Sequence, residues 1–382
     1  MIDAILYPAG RCACVMGLIA ALMAGSVAAL QGSTPQPLRA ASPESGVPVA
    51  QTAGKLQPLL LAQASKPAAK ATVKLGRLAG AASEYPVVVA MALGFFDEQN
   101  IVIESVVLQN AGDLIAPLAT GELDVGSGSD SAAFFNGVAR GIDVRIMADK
   151  GTMMKGLNYQ GLLIRKDLLD SGRVKDYRDL KGLKFAISGQ GVTTEYLLDS
   201  ALQLGGLTLK DVTSATMGFP EMLAALANKS VDGAILGGPL AQRAIDQNIA
   251  IMWRGSGDLR PGHHISLVLY SPKFVEERTD VGRRFMIAYM KGVRAFHNAM
   301  IKGVDKDRIV KILTDADNIK DPKVLTGAVP ITIDQNLAVN KATIVWDQEW
   351  YAARGYVKQK IDVDKVIDNR FVEYALQQLG RR

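Results

Sequence analysis

The chain has 382 residues, 48% of them hydrophobic and 21% charged, with a formal net charge of +5 at pH 7. That balance excludes a disordered chain and suffices for more than one hydrophobic core. Residues 1–72 hold five basic and two acidic side chains, so the remainder carries a net charge of about +2, too little for the footprint of a nucleic-acid binder.

Arg11, the apolar run from Cys12 to Ala24 and the small residues Ser26 to Ala29 read as a secretory signal over residues 1–29. Lys55, the leucines at 59–61 and Ala62 to Ala64 offer a second ending, near residue 64, and both remain open. A retained anchor is disfavoured, because the first apolar run is short and is broken by Gly17 and Gly25. Residues 30–72, rich in Ala, Pro, Gln and Ser, read as a flexible lead-in. Cys12 and Cys14 both lie in the leader, which leaves the body without a thiol for a disulfide, a metal or a nucleophile.

From Val73 onward, strand-like and helix-like segments alternate, which predicts α/β lobes with mostly parallel sheets. Strands are expected at 73–78, 101–108, 123–127 and 143–148, with helices at about 85–97, 112–120 and 131–139. A second block follows, with strands near 160–165, 183–187 and 212–216 and helices at 194–204 and 239–246. Strand character returns at 265–270. A long helix then begins with Thr279 as its expected N-cap, placing Val281, Phe285, Tyr289 and Phe296 on one face. The last hundred residues read as mainly helical and are expected to pack around the first lobe.

One segment occurs twice. Asp113 to Gly126 is echoed by Glu221 to Ala234, each a helix feeding a short apolar strand with one aspartate, Asp124 or Asp232. A duplicated αβ unit predicts two similar lobes facing a cleft that holds a small molecule. The expected division is 73–157 with 258–382 as lobe one and 158–257 as lobe two, with hinge crossings near 150–160 and 255–265.

Parallel α/β sheets bind ligands beyond the carboxyl ends of their strands, where helix N-termini present free N–H groups to anions. Four loops meet that rule: Ala81 to Tyr85, Ser127 to Ser131, Ser188 to Thr194 and Leu236 to Pro239. Their candidate contacts are Ser83, Glu84, Tyr85, Ser129, Asp130, Ser131, Gln190, Gly191, Thr193, Thr194, Gly237 and Gly238. Each loop taken alone fits ordinary turn and N-cap chemistry equally well, and Glu84 could simply favour its helix start. Matched positions in a repeat favour a ligand. Asp124 and Asp232 read as groups that fix nearby backbone. Ser188 to Thr194 lacks both the P-loop lysine and the dinucleotide spacing.

His263 and His264 are neighbours that in an extended segment point to opposite faces, so they do not readily share a metal; His264 is taken as a possible contact near the hinge. Without HExxH, a cysteine pair or Gly-x-Ser-x-Gly, neither a cofactor nor catalysis is expected. Trp346 and Trp350, four apart, read as packing on a helix.

Gly94 to Glu104, Ala119 to Gly126, Gly141 to Ala148, Asp179 to Ala186, Ala224 to Asp232 and Trp350 to Tyr356 occur in an order and spacing that resemble the solute-binding proteins of ABC importers for nitrate, sulfonates, taurine and thiamine-pyrimidine precursors. The resemblance spans roughly residues 73–380. It implies a type II periplasmic binding fold with the second lobe inserted in the first and a ligand closed between lobes. It also implies a monomer that delivers its solute to an inner-membrane permease, with contacts at Ser83 to Tyr85, Ser129 to Ser131 and Gly191 to Thr194. The chain departs from the pattern at Gly237, Gly238 and Pro239, where relatives often carry an aromatic and an acidic residue; that puts a stacked heterocycle in doubt. Relatives also include cytoplasmic enzymes of pyrimidine-precursor and menaquinone pathways. The first type lacks its cysteine-rich motif here, and the second would need His263 or His264 as base. A binding protein that reports to a receptor is the remaining alternative.

Overall fold

The computed structural model describes residues 69–109 and 111–382. The expected signal segment, both cysteines and most of the 30–72 lead-in lie outside the described residues.

Ten strands alternate with helices in the described chain: β1 (Ala71–Leu78), β2 (Ile101–Leu108), β3 (Val125–Gly128), β4 (Arg145–Asp149), β5 (Gln160–Arg165), β6 (Lys184–Ile187), β7 (Thr213–Thr216), β8 (Gly233–Gly237), β9 (Ala250–Gly255) and β10 (Leu267–Tyr270). Among the described residues they form two 5-stranded sheets, ordered β2-β1-β3-β10-β4 and β7-β6-β8-β5-β9. Every strand of the second sheet falls between β4 and β10 in sequence, so the second lobe is inserted in the first, as expected.

Four of the five strands in each sheet run one way, as expected, and one strand runs against them, so both sheets are mixed. β1 runs parallel to β2 and β3, and β6 to β7 and β8, but β10 is antiparallel to β3 and β4 and β5 antiparallel to β8 and β9. The cause is topological. β5 and β10 are the strands by which the chain enters a sheet from the other lobe, so each starts at the edge where its parallel neighbours end. β9 was not foreseen from the sequence; its partly exposed Met252, Trp253 and Arg254 break the apolar alternation.

The duplicated segment folds twice in the same way. Helix Ile115–Thr120 feeds β3 and helix Phe219–Ala227 feeds β8. Asp124 Oδ2 accepts from the Lys74 backbone N–H at 2.9 Å while its own N–H donates to Lys74 O at 3.0 Å. Asp232 does the same with Lys184, at 2.9 and 2.7 Å. Each aspartate also meets an arginine, Arg278 at 2.9 Å or Arg165 at 3.4 Å. Both carboxylates therefore staple a strand to the parallel strand beside it, β3 to β1 and β8 to β6.

The helix expected to run to residue 97 stops at Ala92, because Gly94 turns the chain at φ +76°. Thr279 is the first helical residue of Thr279–Met300 rather than its cap, and its hydroxyl donates to Val275 O at 2.6 Å. Phe285, Tyr289 and Phe296 are buried on that helix, with Val281 at the edge of the same core. Helix Lys341–Ala353 packs on the first lobe and also reaches helix Thr193–Gln203 of the second. There Trp350 Nε1 donates to Asp199 at 3.1 Å, Arg354 pairs with Asp199, and Tyr356 Oη donates to Glu195 at 2.9 Å. The two crossings run side by side: Lys150 N–H donates to Ser266 O at 3.0 Å, Met153 N–H to His263 O at 2.8 Å and Gly262 N–H to Met153 O at 2.7 Å.

Candidate functional site

The loops that leave β1, β3, β6 and β8 converge on one cavity of about 50 Å3, room for a compact polar group or a few waters. The first lobe contributes Ser83, Gly128 and Ser129, and the second Ser188, Thr193, Thr194 and Gly237. Each sits at or just before a helix start, where backbone N–H groups lack intrahelical partners. None of the lining residues is Lys or Arg.

Ser83, Ser129, Thr193, Thr194 and Gly237 thus meet at one place. Thr194 Oγ1 accepts from the Ser188 N–H at 3.0 Å and lies 3.0 Å from the Ser188 hydroxyl, which fixes the rim of the second lobe. Gly191, at φ +65°, is held by its N–H on Glu195 Oε2 at 2.7 Å and by its carbonyl, which accepts from Ala132 N–H at 2.8 Å. That last bond joins the lobes directly. It also uses the first free N–H of helix Ala132–Ala139, so Gly191 is a contact between lobes and not part of the cavity lining. Gln190 is exposed and Gly238 lies behind Tyr159, whose carbonyl accepts the Gly238 N–H at 2.9 Å.

The remaining candidates are turned to internal partners. Glu84 is buried, takes the Ser127 hydroxyl at 2.6 Å and pairs with buried Lys150 at 3.1 Å. Lys150 also donates to Ser83 O at 2.7 Å, so this pair props up the first loop from behind. Burial pushes the Lys150 ammonium down, and Glu84 opposes that shift. Tyr85 donates to Asp317 at 2.8 Å, and burial first, then Asp317, raises its phenol well above the ordinary value. Ser131 caps helix Ala132–Ala139 by accepting from Phe134 N–H at 3.3 Å. Asp130 engages Asp347 on helix Lys341–Ala353 and does not line the cavity.

His264 is buried with Nδ1 3.0 Å from Asp149 Oδ1, and its Nε2 accepts from Asn340 N–H at 2.8 Å. This fixes the neutral tautomer with the proton on Nδ1 and leaves neither nitrogen for a ligand. His263 stands edge-on to Trp346 with ring centroids 4.9 Å apart, and burial with Arg260 nearby pushes it down to about 4. Neither histidine lines the cavity. Among the described residues, no group of three or more His, Cys, Asp or Glu side chains is disposed to hold a metal ion, and no helix is long and apolar enough to cross a membrane.

Tyr159, Gln160, Phe219, Ile265 and Ser266 also line the cavity, and none of them stands in the four loops that the sequence marks. Four of these five begin or just precede the antiparallel strands β5 and β10. A rule that searches the carboxyl ends of parallel strands does not look there. Gln160 is the most pointed omission: it is buried, and its Nε2 has no hydrogen-bond partner within the protein.

A sequence profile of the NMT1-like family matches residues 66–310, well over half of the chain. The chain belongs to that family. This NMT1-like protein is 26% identical over 301 residues to a Bacillus subtilis (strain 168) protein named "Putative aliphatic sulfonates-binding protein", covering 77% of this chain and 85% of the relative. Its fold matches the periplasmic nitrate-binding protein NrtA of Synechocystis PCC 6803 with a TM-score of 0.68 at 18% identity, over 82% of this chain and 90% of that one. It also matches the alkanesulfonate-binding protein SsuA of Xanthomonas axonopodis pv. citri, bound to MOPS, with a TM-score of 0.63 at 18% identity, over 79% and 99%. The resemblance drawn from the sequence motifs and these comparisons agree on family and on fold.

Proposed function

We propose that this NMT1-like protein is an extracytoplasmic solute-binding protein of an ABC importer, without catalytic activity of its own. It closes two lobes, residues 73–157 with 258–382 and residues 158–257, on a small organic anion such as a sulfonate or carboxylate and delivers it to a permease. It works as a monomer in the periplasm after removal of an amino-terminal signal. The observation that supports the reading is the convergence of four helix starts, two from each sheet, on a cavity lined by serine and threonine hydroxyls and the Gln160 amide, with no Lys or Arg. Such a wall recognises acceptor oxygens by aimed N–H and O–H groups and needs no counter-ion. Ser83, Ser129, Thr193, Thr194, Gly237 and Gln160 are the contacts, and the unpartnered Gln160 amide is the donor with most to gain from a ligand oxygen. The Gly191 to Ala132 bond beside the cavity is the natural closure contact.

A thermal-shift panel of methanesulfonate, taurine, nitrate, acetate and pyrimidines tests the class. A ligand present at a hundred times its dissociation constant stabilises by about 2.7 kcal/mol, and at least one sulfonate or carboxylate is expected to do so. No shift across the whole panel would remove the support for an anion-binding role.

A further inference from the structure

The cavity loop has buried acid behind it. Asp130, next to cavity-lining Ser129, is 2% exposed, and Asp347, in the middle of helix Lys341–Ala353, is 0% exposed. Their carboxyl groups meet within hydrogen-bonding reach of one another. No donor in the protein reaches Asp130 Oδ2 or either Asp347 oxygen. Two ionised carboxylates in that space would repel each other without solvent or partner, a state that proteins avoid by retaining a proton.

The surrounding groups do not supply the missing charge. Arg260 attracts Asp347 but lies over the Trp346 ring at 3.8 Å and is itself disfavoured by burial. His264 bears on Asp130, yet its Nδ1 proton is committed to Asp149. His263 is neutral, and burial keeps the Tyr196 and Tyr351 hydroxyls protonated. Glu195 and Asp199, farther along, are engaged with Tyr356 and with Trp350 and Arg354.

We propose that Asp130 and Asp347 form a carboxyl pair clasped by one shared proton, a pH-sensitive clasp that holds the Ser127 to Ser131 loop against helix Lys341–Ala353 and loosens as the medium turns alkaline. Burial pushes Asp130 up to about 7 and holds Asp347 well above the usual carboxylate range, in two steps that belong to the pair. The folded state therefore keeps protons that the unfolded chain has already released. Its stability is full below the ordinary carboxylate range and declines as pH rises through 7 and beyond. The clasp operates whether or not the cavity takes the proposed ligand.

Asp347→Asn tests it, because the amide N–H supplies the shared donor at every pH. The melting temperature of the wild type is expected to fall by about 3 °C or more between pH 6 and 9 relative to this variant. Trp346 and Trp350, on the same helix, should report a pH-dependent fluorescence change that the variant lacks. An infrared carboxylic-acid carbonyl band should be present in the wild type at pH 7 and lost in the variant. Should Asp347→Asn fail to fold, Asp130→Asn places the same donor on the other side and carries the same expectations. Equal pH slopes in wild type and variant, or no carboxylic-acid band in the wild type, overturn the proposal.

Discussion

The two lobes share a frame and differ in what backs their loops. Asp124 and Asp232 make the same pair of backbone bonds, to Lys74 and Lys184, at the same place in each sheet. Behind the first lobe's cavity loops, however, lie ionisable pairs, Glu84 with Lys150 and Asp130 with Asp347. Behind the second lobe's loops lie the paired Ser188 and Thr194 hydroxyls and the single carboxylate of Glu195, which accepts from the Gly191 N–H and the Tyr356 hydroxyl. A duplicated unit thus preserves the staple that sets strand register and leaves the support of its loops free to diverge. One lobe should be sensitive to charge and the other to shape.

The largest effect is expected from Lys150→Met. It strands the buried Glu84 carboxylate and should cost about 3–5 kcal/mol in urea unfolding, with Glu84→Gln in the same chain restoring part of the loss. A loss under 1 kcal/mol would mean that the pair does not prop the loop. Asp124→Ala and Asp232→Ala test the shared staple. The first should cost about 2–3 kcal/mol and the second about 1–2, since Arg278 is closer to its aspartate than Arg165 is; a reversed order would undo the match between lobes. On the second lobe, Gly191→Ala puts a Cβ 2.8 Å from that of Ala132 at φ +65°. Its expected stability cost is about 1–3 kcal/mol, with at least a tenfold weakening of whichever panel ligand binds, read by calorimetry. Thr194→Val removes the bonds to Ser188 and should cost about 1 kcal/mol. The smallest change is expected at Lys166→Ala, which breaks an exposed pair with Asp170 worth about 0.3–0.5 kcal/mol.

Much of the frame was legible because its signals are local. The helix-to-strand repeat, the glycines and hydroxyls after β1, β3, β6 and β8, and the apolar face of helix Thr279–Met300 each lie within a short stretch of sequence. The supports of the site are not local. Lys150 reaches Glu84, and Asp347 reaches Asp130, across long separations in the chain, and no periodicity marks either partner. Glu84, Asp130 and His264 therefore read as ligand contacts in the sequence, whereas their side chains engage protein groups in the fold. Tyr159, Gln160 and Ser266 went unseen for a different reason: strand direction in a mixed sheet is set by where the chain crosses between lobes, which composition does not encode.

Helix Lys341–Ala353 has a consequence for dissecting the molecule. Tyr196, Leu197 and Phe185 of the inserted half share one apolar cluster with Phe134, Leu267, Ile344 and Trp350 of the other half. Excision of residues 158–257 would leave that shared wall facing water, so the excised piece should aggregate although its sheet is complete.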